Sequence, residues 1–395
     1  MNLGMAVNKA VSVNKTSDLT NFRWTVERQP RAAHDQLDLI ARLLQTPWMT
    51  RLATAIGAFP LINPAICASG EPVMTEAGIR AALRAGVAGV IAKSVNEHQA
   101  AGRQLDRADY VRLDAQGVPT AGRGVSLFNR SGLTQRGTGA WFAAIAAIDR
   151  DASREGRFVA ASIVYAGAEG AVSIASMARQ AGLRVFELNV GAPHASEAAA
   201  GAIVQETDPA RLTDLVRQVR AATEGMQLWV KLTGLSSNLP ALAVAARAGG
   251  ADAVCMMGRF MALVPDLETF APVLGTSAAY GGGWALPIVC RFLALTRKAT
   301  GGDLPLMGTN GVRSGGDVLR MALCGASATE LLSIVMHEGF GGLTRVIDEL
   351  DSFLASRDLM FRDLIGRSAD LLTSYGEQPE TPNRWRDFVP PETLA

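Results

Sequence analysis

The sequence contains few cysteines, and their positions exclude several kinds of protein. The 395 residues include only four, Cys67, Cys255, Cys290 and Cys324, which lie far apart and form no CxxC pair. A disulfide framework, a zinc site and an iron–sulfur cluster therefore have no sequence support. This cysteine usage predicts a reducing compartment.

Long apolar runs and an excess of charge of one sign are also missing. The longest uninterrupted apolar run is WFAAIAAI, far below the roughly 20 residues that span a bilayer. The N-terminus shows no charged-then-apolar signal pattern. The net charge is +1, which gives no electrostatic reason to expect nucleic acid as a partner. We therefore expect a cytoplasmic protein without a membrane span or a nucleic-acid partner.

What the sequence does contain is a rhythm of short apolar runs that alternate with helical patterns from Leu61 onward. The runs are continuous rather than alternating, which is typical of parallel strands buried on both faces. Eight such units predict an α/β protein with a closed (β/α)8 barrel; an open doubly wound sheet is the alternative. The runs are LINPAICA (61–68), AGVIAKS (88–94), FVAASIV (158–164), VFELNV (185–190), LWVKL (228–232), DAVCMM (252–257), LPLMGT (304–309) and SATELLS (327–333).

The rhythm defines three regions. Residues 1–57 are predicted to be a helical extension, because 33–57 read as amphipathic helix interrupted by Pro47. The barrel is assigned to 58–357, and residues 96–157 within it are too long for one strand-to-helix connection. This insertion is predicted to act as a lid or a substrate wall. Residues 358–395 are predicted to form a C-terminal helix and a proline-rich tail.

The predicted strand ends carry polar residues, and in barrels of this kind the active site forms at the carboxyl ends of the strands. Lys93, Asn189 and Lys231 each close an apolar strand, which is unfavourable unless they meet a polar ligand or partner. The glycine-rich turns MGTNGVRSGGD and LLSIVMHEG follow the seventh and eighth runs. Their backbone N–H groups predict a phosphate-binding cradle at a helix start.

Several stretches, in this order along the chain, resemble the FMN-dependent dihydroorotate dehydrogenases and the pyrimidine-reducing domain of dihydropyrimidine dehydrogenase. The similarity runs from about residue 61 to about 357. The stretches that carry it are NPAICASG, GVIAKSV, SLFNRSGL, FELNVGAPH, VKLTG, GADAV, YGGG…LP and LPLMGTNGVRSGGDVLRMALCGAS.

The resemblance implies an FMN-binding barrel and a role for each matching residue. Lys93 and Lys231 would lie at the pyrimidine edge of the flavin, with Lys231 on the N1/O2 side, where a cation stabilises the reduced anion. Asn129 and Asn189 would contact flavin or substrate. The remaining cofactor residues would be Ala68, Ser69 and Gly70 under the flavin and Gly282, Gly283, Asn310, Gly311, Leu332 and Ser333 around the phosphate.

The chain departs from the family where the substrate would bind. The Cys or Ser that removes a substrate proton in the family is Ala192 here, and an Asn that holds the pyrimidine ring is Gly258. Arg259 replaces a small hydroxyl residue, and Leu332 replaces a glycine at the phosphate. Together these changes predict a substrate other than dihydroorotate.

Other residues are therefore needed for catalysis and substrate binding. His194 is the first candidate for the acid/base and also for a substrate contact, ahead of Ser196, Glu197 and Cys67. With His194, catalytic roles are predicted for Lys231, Lys93 and Asn129. Arg259 and Arg130 are candidate binders of a substrate carboxylate, beside Asn129 and Asn189. A mechanism without a protein base would also tolerate Ala192.

The predicted function is hydride transfer between FMN and a C–C or C–N bond of a small, anionic or heterocyclic substrate. Electrons would pass to or from nicotinamide, quinone, oxygen or a separate reductase, and a homodimer is expected. Two alternatives remain open at this point. One is a flavin-free lyase or isomerase that uses Lys93 or Lys231 as a Schiff base. The other is a non-catalytic protein that retains FMN.

Overall fold

The computed structural model describes residues 50–98, 103–122, 124–191 and 206–394. All of them belong to one compact unit, residues 47–395. Most of the predicted N-terminal helical extension lies outside the described residues. The part that is described, residues 50–57, is not helical and contains a β-strand.

The described residues form fourteen β-strands. In chain order they are β1 (Thr54–Ile56), β2 (Phe59–Leu61), β3 (Ala65–Cys67), β4 (Gly89–Ile91), β5 (Asp109–Leu113), β6 (Ser126–Arg130), β7 (Phe158–Val164), β8 (Val185–Asn189), β9 (Gln227–Lys231), β10 (Ala253–Met256), β11 (Phe260–Ala262), β12 (Ala278–Gly282), β13 (Leu306–Thr309) and β14 (Ala326–Leu331).

Eight of these strands close a parallel barrel in the order β3-β4-β7-β8-β9-β10-β13-β14. Each coincides with one of the eight apolar runs, and β14 pairs with β3 to complete the circle. The predicted (β/α)8 barrel is confirmed, and the open doubly wound sheet is wrong. All eight carboxyl ends consequently meet at one rim of the barrel.

Nine α-helices are described around and beside the barrel. They are α1 (Glu76–Arg84), α2 (Thr138–Ser153), α3 (Ala168–Gln180), α4 (Pro209–Ala222), α5 (Leu239–Ala248), α6 (Leu286–Thr300), α7 (Gly315–Leu323), α8 (Ser333–Glu338) and α9 (Gly341–Ala355). Three begin with side-chain caps, in which Thr75, Asp208 and Ser314 accept a backbone N–H of the first turn. Such caps satisfy N–H groups that have no partner within the helix.

The barrel interior is closed at its amino-terminal end by the hairpin of β1 and β2. Ile56 and Leu61 are fully buried against interior residues such as Phe158 and Trp229. The rings of Phe158 and Trp229 meet edge to face with centroids 5.3 Å apart. Burial of Ile56 in this layer explains why residues 54–56 form a strand although their sequence pattern suggests a helix.

The long connection between β4 and α2 contains β5 and β6, and α2 then packs against β7 as a barrel helix. β5 and β6 join β11 and β12 in a four-stranded antiparallel sheet of order β11-β12-β6-β5. Two connections at the carboxyl end of the barrel therefore supply its strands: the connection after β4 supplies β5 and β6, and the connection after β10 supplies β11 and β12. The sheet forms a wall beside the rim.

Beyond Ala355 the described chain contains only short 3₁₀ helices: Phe361–Leu364, Tyr375–Glu377, Arg384–Phe388 and Pro391–Leu394. Phe361 is fully buried, and the described residues after Ala369 are exposed except for the half-buried Val389. The α-helix suggested after residue 357 is thus absent from residues 358–394. Prolines at 379, 382, 390 and 391 are incompatible with the interior of a helix. No helix in the described part of the chain is long and apolar enough to cross a membrane.

Candidate active site

A deep cleft opens at the rim formed by the carboxyl ends of the barrel strands. It contains about 1260 Å3 of space between protein atoms, including its opening to solvent. Its walls include twelve of the residues predicted from the sequence: Ala68, Ser69, Gly70, Lys93, Asn129, Asn189, Lys231, Arg259, Asn310, Gly311, Leu332 and Ser333. Tertiary structure thus brings residues from eight segments of the chain to one place.

Lys231 forms the floor of the cleft at the end of β9. Its Nζ donates to the Glu330 carboxylate on β14 and lies 3.4 Å from Glu187 Oε2 on β8. Burial lowers the pKa of Lys231, but Glu187 and Glu330 more than offset this effect and raise the pKa above 10.5. The ammonium group is therefore held in its charged form.

The pKa of Glu187 is also raised, which for a carboxyl group favours the neutral form. Its side chain is inaccessible to solvent, and its Oε1 accepts a hydrogen bond of 2.9 Å from Ser162 Oγ. Burial and then the neighbouring Glu330 raise the pKa of Glu187 to about 8, although Lys231 acts against the shift. Glu187 is consequently protonated near neutral pH.

Lys93 lies at the end of β4 and pairs with Glu71, which follows β3. Lys93 Nζ is 3.1 Å from Glu71 Oε1, which also accepts a 3.1 Å hydrogen bond from the backbone N–H of Gly132. Burial raises the pKa of Glu71, but Lys93 and, more weakly, Arg259 lower it below its usual range. Glu71 therefore ties Lys93 to the loop after β6.

Asn129 and Arg259 meet across the antiparallel sheet. Arg259 Nη1 donates to Asn129 Oδ1 at 2.8 Å, and both side chains line the cleft. Arg130 follows Asn129 on β6 but is absent from the cleft lining and lies 3.6 Å from Asp109. Successive side chains of a strand point to opposite faces, so only one of these two neighbours reaches the cleft. The structure does not bring Arg130 to the site.

Asn189 ends β8 and lines the cleft, and its Oδ1 accepts a 3.0 Å hydrogen bond from the backbone N–H of Gly191. This bond fixes the turn after the strand. Ala192 and His194, together with Ser196 and Glu197, follow within a few residues and lie outside the described residues. The acid/base role of His194 therefore stays a prediction.

The turns after β12 and β13 come close together at one end of the cleft. Asn310 and Gly311 both have positive φ angles, 77° and 93°. A Cβ at Gly281 would lie only 2.8 Å from Asn310 Oδ1, so a side chain at 281 would displace the Asn310 amide. The buried Nδ2 of Asn310, a residue that lines the cleft, has no hydrogen-bond partner among the described residues. This arrangement fits a ligand with acceptor atoms.

A smaller cavity of about 360 Å3 lies next to this end of the cleft. Val312 and Ser333 line both cavities, while Gly282, Gly283, Arg313 and His337 line the smaller one. Burial and then Arg112 and Arg313 lower the pKa of His337. The positive charges of Arg112 and Arg313 therefore act on this cavity, and positive charge favours the binding of an anion.

Leu332 stands where a glycine was expected from the resemblance. A Cβ placed on Gly70 would lie 2.5 Å from Leu332 Cδ1, so the leucine side chain packs directly against the Gly70 backbone. The absence of a side chain at 70 therefore accommodates the leucine at 332.

Several cleft residues were not identified from the sequence. They are Glu71, Ser94, Tyr110, Glu330 and Met336, and Glu187 lies beneath them. Glu187 and Glu330 had a recognisable signal, since each is a lone carboxylate inside an apolar strand run. Tyr110 had none, because only the antiparallel sheet brings β5 to the cleft.

The chain forms a closed parallel barrel, and lysines line the cleft at its carboxyl rim. These features are typical of (β/α)8-barrel enzymes that bind an anionic small molecule or cofactor. Comparison with known families is more specific. The model of the family described as dihydroorotate dehydrogenase matches residues 51–354. The chain belongs to this family, whose members are FMN-dependent oxidoreductases, and the predicted cofactor and family are confirmed.

Individual relatives are distant. The chain is 31% identical over 166 residues to "Dihydroorotate dehydrogenase A (fumarate)" of Limosilactobacillus reuteri, covering 42% of this chain and 52% of that protein. It is 27% identical over 319 residues to "Dihydroorotate dehydrogenase B (NAD(+)), catalytic subunit" of Methanocella arvoryzae, covering 78% and 95%. The protein of the same description from Desulforudis audaxviator is 28% identical over 322 residues, covering 80% and 97%. The first of these matches spans about half of its relative's length.

Proposed function

We propose that this protein transfers hydride between FMN and a C–C or C–N bond of a small anionic or heterocyclic substrate other than dihydroorotate. The observation that carries the proposal is the cleft itself. Two buried lysines, two asparagines and the glycine turns of β12 and β13 surround one space at the carboxyl rim. FMN combines an electron-accepting ring with an anionic phosphate, and the cleft offers groups suited to both.

The cleft residues fit FMN in two respects. The unpartnered Nδ2 of Asn310 supplies a donor for a phosphate or ribityl oxygen. The charged Lys231 supplies a cation whose charge is secured by two carboxyl groups below it. When bound, FMN would supply the hydride acceptor. The chain's own contribution would be to bind it, exclude water and hold a positive charge, that of Lys231, at the floor of the cleft.

The substrate is inferred from the residues that differ from the family. Ala192 carries no group that accepts a proton, and Gly258 carries no amide that grips a pyrimidine. Arg259 enters the cleft instead, and Asn129 Oδ1 accepts one of its hydrogen bonds. A guanidinium has five N–H donors, so this contact orients the group while leaving donors for a carboxylate.

The flavin-free lyase is disfavoured by the state of Lys231. A Schiff-base lysine must be available as a neutral amine, but Lys231 is paired with two carboxyl groups that raise its pKa. Lys93 donates to Glu71 at 3.1 Å, but burial lowers its pKa, so a Schiff base is disfavoured at Lys231 and not at Lys93. The non-catalytic reading predicts a yellow protein whose flavin no small molecule reduces or reoxidises.

Two further expectations belong to this proposal. The electron partner would be nicotinamide, quinone, oxygen or a separate reductase, and the protein would act as a cytoplasmic homodimer. Stopped-flow reoxidation of the reduced protein with each oxidant tests the first expectation. Light scattering tests the homodimer; a monomer would contradict it.

The experiment begins with the visible spectrum of the purified protein, followed by anaerobic addition of candidate small acids and heterocycles. Flavin bleaching by an anionic compound supports the proposal. A colourless protein, or bleaching by dihydroorotate alone, contradicts it.

Arginine variants then locate the substrate site. Arg259→Ala should raise KM for the reducing acid on the order of tenfold to a hundredfold, because a charged hydrogen bond is lost. Arg130→Ala is the matched comparison, since that arginine lies outside the cleft and pairs with Asp109. Equal effects of the two substitutions would contradict the role of Arg259.

A further inference from the structure

Beneath the cleft lies a cluster of three ionisable side chains, Glu187, Lys231 and Glu330, which we call the buried triad. Both carboxyl groups are inaccessible to solvent, and Lys231 donates to both. Both carboxyl groups thus contact the same Nζ, and the neighbouring Glu330 raises the pKa of Glu187. Two carboxyl groups can share a hydrogen bond only if one of them carries a proton.

The partners of Glu330 support the same conclusion. Its Oε1 is buried and receives no hydrogen bond from any N–H or hydroxyl group of the described residues. Leaving such an oxygen without a donor is unfavourable. Beside the thiol of Cys255, which interacts with Glu330, a proton shared by the two carboxyl groups would supply a donor, so that the triad holds one ammonium group and one carboxyl proton.

A line of hydroxyl groups connects Glu187 to the cleft. Ser162 Oγ donates to Glu187 Oε1 at 2.9 Å, and Ser94 Oγ lies 2.9 Å from Ser162 Oγ. Ser69 Oγ lies 3.0 Å from Ser94 Oγ. Ser162 is buried, whereas Ser94 and Ser69 line the cleft. Each hydroxyl can donate and accept, so the line can carry a proton in either direction.

We propose that the buried triad stores one proton and exchanges it with the cleft through Ser162, Ser94 and Ser69. In the outward step the Ser162 hydroxyl turns from donating to Glu187 to accepting from it, the Glu187 O–H bond breaks, each serine passes on its own proton as it receives another, and one proton reaches an acceptor in the cleft. No electron moves, and the charge of the triad changes from zero to −1. The inward step is the reverse.

The environment of Glu187 favours this exchange near neutral pH. The groups that face the triad from other strands are the thiols of Cys255 on β10 and Cys67 on β3. Burial and then Glu330 raise the pKa of both thiols, that of Cys67 to about 12, so they stay neutral. The raised pKa of Lys231 keeps this residue charged, whereas the pKa of Glu187 is raised to about 8. The line of hydroxyl groups reaches the triad at Glu187, so the proton enters and leaves through this residue.

Ala192 has no group that can exchange a proton with a substrate. Through the relay, Glu187 could supply or take up that proton without contacting the substrate itself. This redox part rests on the proposed function, whereas the proton exchange itself does not. The two parts are tested separately.

The exchange is tested by infrared spectroscopy of the purified protein as it is moved from H2O to D2O. The wild type should show a protonated carboxyl C=O band that titrates between neutral and alkaline pH, and Glu187→Gln should abolish it. Ser162→Ala should keep the band but slow its shift in D2O on the order of tenfold or more, because one hydrogen-bonded step is removed.

Thr329→Val serves as the matched control. Thr329 is a buried hydroxyl residue of β14 that contacts Met321 Sδ rather than the serine line. Its substitution should leave both the band and its deuteration rate unchanged. If the wild type lacks the band, or if Ser162→Ala exchanges as fast as Thr329→Val, the proposal is wrong.

The redox part is tested by the pH dependence of the midpoint potential of bound FMN. The wild-type plot should bend where the carboxyl band titrates, and Glu187→Gln should remove the bend. A straight wild-type plot, with the infrared results as expected, would refute the coupling alone. A protein without flavin would refute the proposed function and this coupling, while the infrared result would still decide the exchange.

Discussion

Glu187→Gln should change how the stability of the protein depends on pH. The pKa of Glu187 is raised from 4.5 to about 8 by burial and by Glu330. A group whose pKa is higher in the folded state binds more protons there than in the unfolded chain. The free energy of unfolding therefore falls as pH rises from about 4.5 to about 8.

The magnitude follows from the same two values. Each pH unit between them changes the free energy of unfolding by about 1.4 kcal/mol, so the full interval accounts for about 5 kcal/mol at most. Coupling to Glu330 and relaxation of the site reduce this figure. Glutamine keeps the shape of the side chain, accepts from Ser162 and donates to Glu330 without ionising. The variant should therefore lose less stability than the wild type between pH 5 and pH 9.

Urea unfolding followed by circular dichroism, repeated across this pH range, measures the difference. We expect the wild-type and Glu187→Gln curves to diverge by several kcal/mol at pH 9 after being matched at pH 5. Asp348→Asn, which removes an exposed carboxylate of α9, is the control and should follow the wild type. Parallel curves for wild type and Glu187→Gln would refute the assigned protonation of Glu187.

Three further substitutions test other parts of the structure. Gly311→Ala should destabilise the protein by about 1–3 kcal/mol and weaken FMN retention, because φ is 93° and the new Cβ would lie 2.6 Å from the backbone of α6; wild-type melting and flavin content would contradict this. Asp149→Ala should cost about 2–3 kcal/mol in urea unfolding, since Arg184 donates to both oxygens of this buried carboxylate at 2.8 and 2.9 Å; a cost below 1 kcal/mol would argue against that pair. Lys231→Ala should cost about 3–5 kcal/mol and slow flavin reduction, because it leaves buried carboxyl groups without their cation; Glu330→Gln in the same chain should recover part of the stability but not the reduction rate.

The sequence determined the barrel because its signal is local. Continuous apolar runs that end in polar residues indicate buried parallel strands, and this indication does not depend on distant parts of the chain. All eight runs became barrel strands, and their ends necessarily met at one rim. Lys93, Asn189 and Lys231 were therefore placed in one cleft from sequence alone.

Tertiary structure decided what these residues contact. Residues 54–56 form a strand because Ile56 fills the amino-terminal end of the barrel. Arg130 does not line the cleft, because successive side chains of β6 point to opposite faces of the sheet. The partnership of Glu187, Lys231 and Glu330 joins three strands that are distant in sequence. Charge state and hydrogen bonding depend on distances of a few ångströms, and only the folded chain sets those distances.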